Sequence, residues 1–367
     1  MNIDFKPRQE KIRQISGVDA VAIVPGTNMV YFTGLHFHLS ERPIVAIFLP
    51  DGALHIITPE LEVPKLDARP DLNAGVFMWN DVEGFEGAFA QAIADLNLTG
   101  KTLGVDGMTM RVFESQTFER ADASLTISDV SLELIRIRSR KMPDEVAAMQ
   151  EAVRISEMVL GRMLEWVEPG MTEKQISRRL AEELISNGTD GLSFEPLVQT
   201  GPNSALPHGM PGDRALQEND FLLIDFGGTV NGYPADITRT FCLGTPTDEM
   251  QKIYDTVLRA NEAAKAVAGP GVPMGAVDKA ARDVITEAGY GEYFIHRTGH
   301  GLGLDVHEPI PQIAAGVTDT LEPGMAFTIE PGIYVPGLGG VRIEDNVVVT
   351  EDGIHVLTSF PRMLQAE

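Results

Sequence analysis

Cysteine is almost absent from this chain of 367 residues, where Cys242 stands alone. A lone thiol excludes an internal disulfide framework and fits a reducing compartment. Cys242 itself reads as a small core residue. Long apolar runs are missing too. No stretch of about 18 apolar residues is available for a membrane span. The opening MNIDFKPRQEKIRQ is charged and lacks the apolar core of a signal peptide, so a cytoplasmic location is expected. Positive charge is scarce, with 29 Lys and Arg against 53 Asp and Glu and a net charge of -24. That balance argues against nucleic acid or an anionic membrane as partner. No low-complexity segment occurs. What remains is an ordinary globular composition, 43% hydrophobic and 22% charged, in a chain longer than one core usually spans. Two domains are expected.

Residues 1–134 alternate short apolar stretches with amphipathic ones, an α/β pattern. Residues 20–24, 29–33, 44–49 and 55–57 read as strands, with Asp51–Gly52 as a hairpin turn. Residues 75–79, 102–105 and 124–127 read as extended, and 86–96 and 111–121 as helical. No catalytic motif is visible there. A basic interlude, LIRIRSRK at 134–141, precedes a strong helix start. Pro143 suits the first helical position, and Asp144 and Glu145 suit the positive end of the helix dipole. The domain boundary is placed near residue 135, giving domains 1–134 and 135–367.

The second domain contains a weak internal repeat. PGMTEKQISRRLAEELI begins at Pro169 and PGVPMGAVDKAARDVIT at Pro270. Ile176 and Val277 occupy matching places, whereas Ile185 and Ile285 fall one residue out of step. Thr172 with Gln175 resembles a capping box. Each helix leads to a Thr-Gly pair (Thr200–Gly201, Thr298–Gly299), then a His-containing loop, then a hairpin. The arrangement implies a duplicated, pseudo-twofold domain with its active site where the halves meet.

The hairpins carry the chemistry. FLLIDFGGTVNGYPADITRTF holds Asp225 and Asp236, and AFTIEPGIYVPGLGGVRIEDNVVVT holds Glu330 and Glu344. In each, an apolar run ends in a carboxylate and a second carboxylate opens the return strand. Ionised groups in such a setting call for partners. His300, in HRTGHGLGLDVHEP, adds an imidazole flanked by glycines. One His with four carboxylates points to Mn, Co, Fe or Zn rather than to an all-oxygen calcium or magnesium site. Bridging carboxylates would let these five side chains hold two divalent ions about 3.5 Å apart. The bland alternative makes each acid a turn or cap residue and the His structural, five coincidences in one repeated frame. Glu308 and Asp345 read as supporting or structural, Asp345 because strand alternation turns it away from Glu344. His208 and His307 lie on the paired loops. They are candidates to flank the substrate, one donating to the scissile carbonyl or its oxyanion, the other steadying substrate or leaving group. The alternative is a loop histidine bonded to backbone. His296 reads as structural. Arg342, two residues before Glu344, and Arg239 are candidates to orient ligand carboxylates, with a plain surface role as the alternative for Arg239.

The motifs LIDFGG, ADITRTF, HRTGHGLGLDVHE, FTIEPGIY and GGVRIEDNVVVT resemble those of the pita-bread metallopeptidases, the family of prolidase, aminopeptidase P, methionine aminopeptidase and creatinase. The similarity runs from Pro143 to the C-terminus, and the preceding residues resemble a creatinase-type N-terminal domain. The resemblance implies an α/β N-terminal domain plus an α+β pita-bread catalytic domain. It implies two metal ions, Mn or Co foremost and Zn or Fe acceptable, held by Asp225, Asp236, His300, Glu330 and Glu344. Asp236 and Glu344 would bridge, and Glu330 would also serve as general base for the attacking metal-activated water. It implies hydrolysis of the bond before proline in a dipeptide or longer peptide, His208 and His307 as substrate-side histidines, and a homodimer. Prolidases often carry an Arg soon after the His-Glu pair to meet a dipeptide carboxylate. HEPIPQI has none, and His36, His38 and Arg42 in TGLHFHLSERP are alternatives, the bland reading being an exposed loop. Creatinase does not retain this ligand set, which argues against its metal-free chemistry here. The other readings are the same scaffold acting on a small non-peptide substrate, as an osmolyte amide hydrolase or C–S lyase, and a non-catalytic binding protein, which the complete ligand set disfavours.

Overall fold

A computed structural model describes residues 4–365 and divides the chain into two compact units, the first ending at Arg138 and the second starting at Ser139. No helix among the described residues is long and apolar enough to cross a membrane.

The first unit is built on one six-stranded sheet. Its order is Gly75–Trp79, Leu54–Pro59, Val45–Phe48, Ala20–Ile23, Thr102–Val105, Thr126–Asp129. The three central strands from Leu54 to Ile23 pair antiparallel, and the outer pairings are parallel. Helices Glu86–Asp95 and Val112–Ala121 pack Phe89, Ala92 and Phe118 into its core. Residues 29–33 are not a strand, contrary to their β-branched and aromatic composition. They lie in the helix Thr27–Thr33, closed by Gly34 at φ 67°. Tertiary contacts override local propensity here. Asn28 in the first turn donates to Asp106 at 2.7 Å and accepts from buried Arg138, fixing the helix from outside. The basic interlude also differs, since Ser131–Ser139 is a helix with Leu134 and Ile135 buried. Its last residue, Ser139, is the first of the second unit.

The second unit contains two similar halves. Helices Pro143–Trp166 and Glu173–Ser186 accompany a sheet in which Phe221–Phe226 lies between Leu197–Thr200 and Ile237–Cys242. Helices Asp248–Val267 and Met274–Glu287 accompany a sheet in which Ala326–Ile329 lies between Gly299–Gly301 and Asp345–Val349. Both strand trios are antiparallel. Pro143 opens its helix, and Glu145 accepts from the Met142 amide at 2.8 Å. Thr172 and Gln175 form the reciprocal cap. Ile176 and Val277 are both fully buried, but Ile185 is 57% exposed while Ile285 is buried, so Leu184 fills the inward place in the first half. The Thr-Gly pairs share one device. Glu173 Oε1 accepts from the amide and hydroxyl of Thr200, and Asp278 Oδ1 accepts from the amide and hydroxyl of Thr298. Each buried carboxylate docks the start of a His loop against a helix. Cys242 is buried in the core.

Candidate metal centre

The two acidic hairpins place their carboxylates at matching ends. Asp225 stands opposite Thr238 near the end of its strand, and Asp236 immediately precedes the return strand Ile237–Cys242. Ile329 stands opposite Asp345, so Glu330 follows one strand and Glu344 precedes the other. These strands are buried on both faces, so a carboxylate at a strand end is directed by the ladder and not by alternation with solvent. The hairpins are then stitched together. The Glu344 amide donates to the Thr238 carbonyl at 3.1 Å, and the Thr240 hydroxyl exchanges bonds with the backbone of Arg342. Asn346 bonds the Asp236 backbone in both directions. Asn261, from the helix Asp248–Val267, donates to the carbonyls of Ile329 and Ile343, the residues just before Glu330 and Glu344. Four carboxylates from two distant segments thus converge.

His300 comes from the short strand Gly299–Gly301. A Cβ on Gly299 would fall 1.8 Å from the Thr328 carbonyl oxygen, so only glycine lets this strand approach. The His300 Nδ1–H donates to the Gly301 carbonyl at 3.0 Å. That leaves Nε2 with its lone pair directed inward, 3.5 Å from Asp236 Oδ2 and from Glu330 Oε1. Burial, helped by the charge of Arg297 and the neighbouring His307, depresses His300 to about 3, so the ring is neutral. Three overlapping sets of donor atoms lie within 4.8 Å of one another. They are Asp225, Asp236 and Glu344; His300, Glu330 and Glu344; and Asp236, His300 and His307.

Electrostatically this cluster is far from satisfied. Burial raises Asp236 and Glu344 well above the carboxylate range, and their neighbouring acids add to the rise. Burial lifts Glu330 to about 7, against the pull of Arg342. Among the described residues Arg342 is the single guanidinium in contact with the cluster, donating to Asp225 Oδ2 at 2.6 Å. Asp225 Oδ1 is buried and has no hydrogen-bond partner. An orphaned carboxylate oxygen, a neutral imidazole with a free lone pair and mutually repelling acids fit divalent cations well. The donor chemistry suits Mn, Co, Fe or Zn.

A cavity of 750 Å³ opens onto these residues. His208 and His307 both line it. The His208 loop is fixed by Gln199, whose amide donates to the carbonyls of Leu206 and Gly209. His307 packs edge-on against His300 with ring centroids 4.0 Å apart, and burial lowers its pKa. It thus lies nearer the carboxylates than a purely substrate-side position requires. His296 also lines the cavity, bonded through Nδ1 to the Arg297 carbonyl and through Nε2 to the Tyr334 hydroxyl. Arg239 is 1% exposed and is no surface residue. It donates to the Glu344 carbonyl and to Asp345, not to a carboxylate of the cluster. Asp345 points away into Arg239, Lys265 and Arg362, and Glu308 pairs with Lys141 at 2.9 Å. His36, His38 and Arg42 belong to the first unit. The two histidines are exposed, and Arg42 is held by Asp81 and Glu41.

Several residues at the centre carried no sequence signal. Thr238 donates to Glu344 Oε2 at 2.6 Å while accepting from Arg342 Nε, and Thr328 donates to Glu330 Oε1 while accepting from the His300 amide. The two threonines play the same part in the two halves. Tyr334 receives Arg342 Nη1 at 2.9 Å, and Arg297 lines the cavity. Thr238 lies two residues after Asp236 and Thr328 two before Glu330, so the repeat does not superpose them and gave no clue to either.

A duplicated α+β unit with a carboxylate-rich centre between its halves defines a metallohydrolase of the pita-bread class. Residues 147–351 match the metallopeptidase family M24, and residues 8–140 match the creatinase/prolidase N-terminal domain. The chain belongs to the M24 metallopeptidase family. It is 35% identical to an uncharacterized peptidase of Staphylococcus aureus over 94% of this chain and 95% of that protein. Among solved structures it resembles a recombinant prolidase from Thermococcus sibiricus, with 36% identity, full coverage of both chains and a TM-score of 0.92. It also resembles a dipeptidase from Pyrococcus horikoshii, with 38% identity, 99% coverage of both chains and a TM-score of 0.91.

Proposed function

We propose that this metallopeptidase is a dinuclear enzyme that hydrolyses the peptide bond before proline, with an Xaa-Pro dipeptide as substrate. The observation that carries the reading is the sharing of donors. Glu344 is common to the set with Asp225 and Asp236 and to the set with His300 and Glu330, and Asp236 Oδ2 also lies 3.5 Å from His300 Nε2, so both acids could serve two ions. Asp225 completes one set, and His300 with Glu330 completes another. The names of the prolidase and dipeptidase relatives support the substrate class.

Two divalent ions, Mn or Co foremost, would polarise the scissile carbonyl and acidify a water. The protein's part is to position and to move protons. Glu330 takes the proton of the attacking water and returns it to the proline nitrogen. Thr328 fixes the Glu330 carboxylate, and Thr238 with Arg342 fixes Glu344 and Asp225. His208 and His307, from the paired loops, donate hydrogen bonds to the carbonyl oxygen and the substrate. Phe194, Leu197 and Val306 supply an apolar wall that suits a pyrrolidine ring.

The test is hydrolysis of Ala-Pro, Ala-Pro-Ala and Ala-Ala by protein reconstituted with Mn or Co and verified for metal content. Turnover of Ala-Pro with little on Ala-Ala is expected. Absence of turnover on both proline substrates overturns the proposal.

A further inference from the structure

The cavity wall contains two arginines, and one has no task in the architecture described so far. Arg342 is fully engaged by Asp225, Thr238 and Tyr334. Arg297 lines the same cavity, and among the described residues no carboxylate lies within ion-pairing distance of its guanidinium. A half-buried guanidinium that no carboxylate engages is available to a ligand in the cavity.

The backbone presenting Arg297 is held on both sides. Arg282, itself paired with Asp278, donates to the carbonyls of Phe294 and His296 at 3.0 and 2.9 Å. The His296 ring donates through Nδ1 to the Arg297 carbonyl at 2.7 Å. Tyr334 holds the other nitrogen of that ring, and burial keeps the ring neutral, with a pKa of about 4. The Thr298 amide is bound by Asp278. A rigid frame thus carries a side chain left uncommitted, the organisation of a binding group rather than of a structural ion pair.

Its location narrows what it binds. It shares that cavity with Glu330, His300 and His307. Arg297 therefore faces the same space as the reacting atoms. In an Xaa-Pro dipeptide the terminal carboxylate is joined to the scissile carbonyl through only the proline nitrogen and Cα. Its receptor must stand beside the catalytic centre, whereas each added residue carries the terminus roughly 3.5 Å away. The segment after His307 runs as EPIPQI and offers no cation. Arg42 is already held by Asp81 and Glu41.

We propose that Arg297 is the receptor for the substrate's C-terminal carboxylate and that it restricts the enzyme to dipeptides. Its planar fork suits a bidentate pair with that carboxylate. The inference rests on the Xaa-Pro reading above, and its test separates the two.

Metal-loaded wild type, R297Q and R297K are assayed on Ala-Pro, Ala-Pro amide, Ala-Pro-Ala and Asp-Pro. Binding of L-proline and prolinamide to the same holoproteins is measured by calorimetry. R297Q is expected to lose about 10- to 100-fold in kcat/KM on Ala-Pro, mainly through KM, as the loss of a charge-assisted pair implies. Its activity on the amide should stay within about twofold, so the preference for the free acid collapses, and R297K should fall between. L-proline should bind R297Q more weakly, with prolinamide unchanged. Equal losses on acid and amide, or no loss on either, overturn the assignment. A loss confined to Asp-Pro also overturns it, because the Arg would then read the first residue's side chain. If R297Q fails to load metal, R297K decides on the same ratios. Should wild type cleave none of the substrates, the Xaa-Pro reading falls, and L-proline binding still decides whether Arg297 receives a carboxylate.

Discussion

Glu330→Gln should act in opposite directions with and without metal. In the metal-free protein burial lifts the Glu330 carboxyl from 4.5 to about 7. The folded state then holds this proton more tightly than the unfolded chain. Stability contributed by the protonated form is present below about pH 4.5 and is lost as pH rises through 7. By pH 8 the penalty is on the order of 3 kcal/mol for this group alone. Gln carries no such charge, and its amide oxygen can still accept from Thr328. Metal-free E330Q should therefore outlast metal-free wild type at pH 8. With about 2–4 °C per kcal/mol for a unit of this size, the melting temperature should rise by roughly 6–12 °C. At pH 5 the advantage should shrink to about a quarter, because the folded wild type is then protonated. With Mn present the order should reverse, since the variant loses a charged ligand. The assay is thermal unfolding followed by circular dichroism, with chelator or with Mn, at pH 5 and 8. A metal-free variant less stable than wild type at pH 8, or equally favoured at both pH values, would refute the electrostatic argument.

Asn261→Leu should destabilise the protein by about 2–4 kcal/mol in urea, because two buried carbonyls lose their donor. It should also weaken Mn binding by calorimetry, because those carbonyls precede Glu330 and Glu344. Asp345→Asn should cost about 3–5 kcal/mol by leaving buried Arg239 with no carboxylate and Lys265 and Arg362 with Glu262 alone. Burial alone would raise the Asp345 carboxyl, but those three cations reverse the sign and hold it below the usual range. Its contribution is thus present above the ordinary value near 4 and fades as pH falls through its lowered folded pKa. Acid titration monitored by fluorescence should show D345N unfolding at higher pH than wild type.

Much of the second unit was legible because its signals are local or repeated. Pro143 with two following acids begins a helix at that residue, and Thr172 with Gln175 caps the next. Carboxylates at the ends of apolar runs stand out wherever they occur, and the repeat put Asp225, Asp236, Glu330 and Glu344 in one frame. The rest depends on distant partners. Residues 29–33 look extended by composition and become helical through Asn28, whose partners Asp106 and Arg138 are far along the chain. Thr238, Asn261 and Asn346 are small polar residues whose meaning comes from strands about a hundred residues away. Arg239 and Arg297 show the same limit. Proximity in sequence favoured Arg239, yet its guanidinium serves Asp345 and a backbone carbonyl, while Arg297 faces the cavity.

The most direct test of the account is anomalous diffraction at the manganese edge from crystals grown with excess Mn. The account predicts two peaks, both within coordination distance of Asp236 and Glu344. Asp225 should complete one, through the oxygen that now has no partner, and His300 with Glu330 should complete the other. A single peak, or ions bound elsewhere with Asp225 Oδ1 still bare, would contradict it.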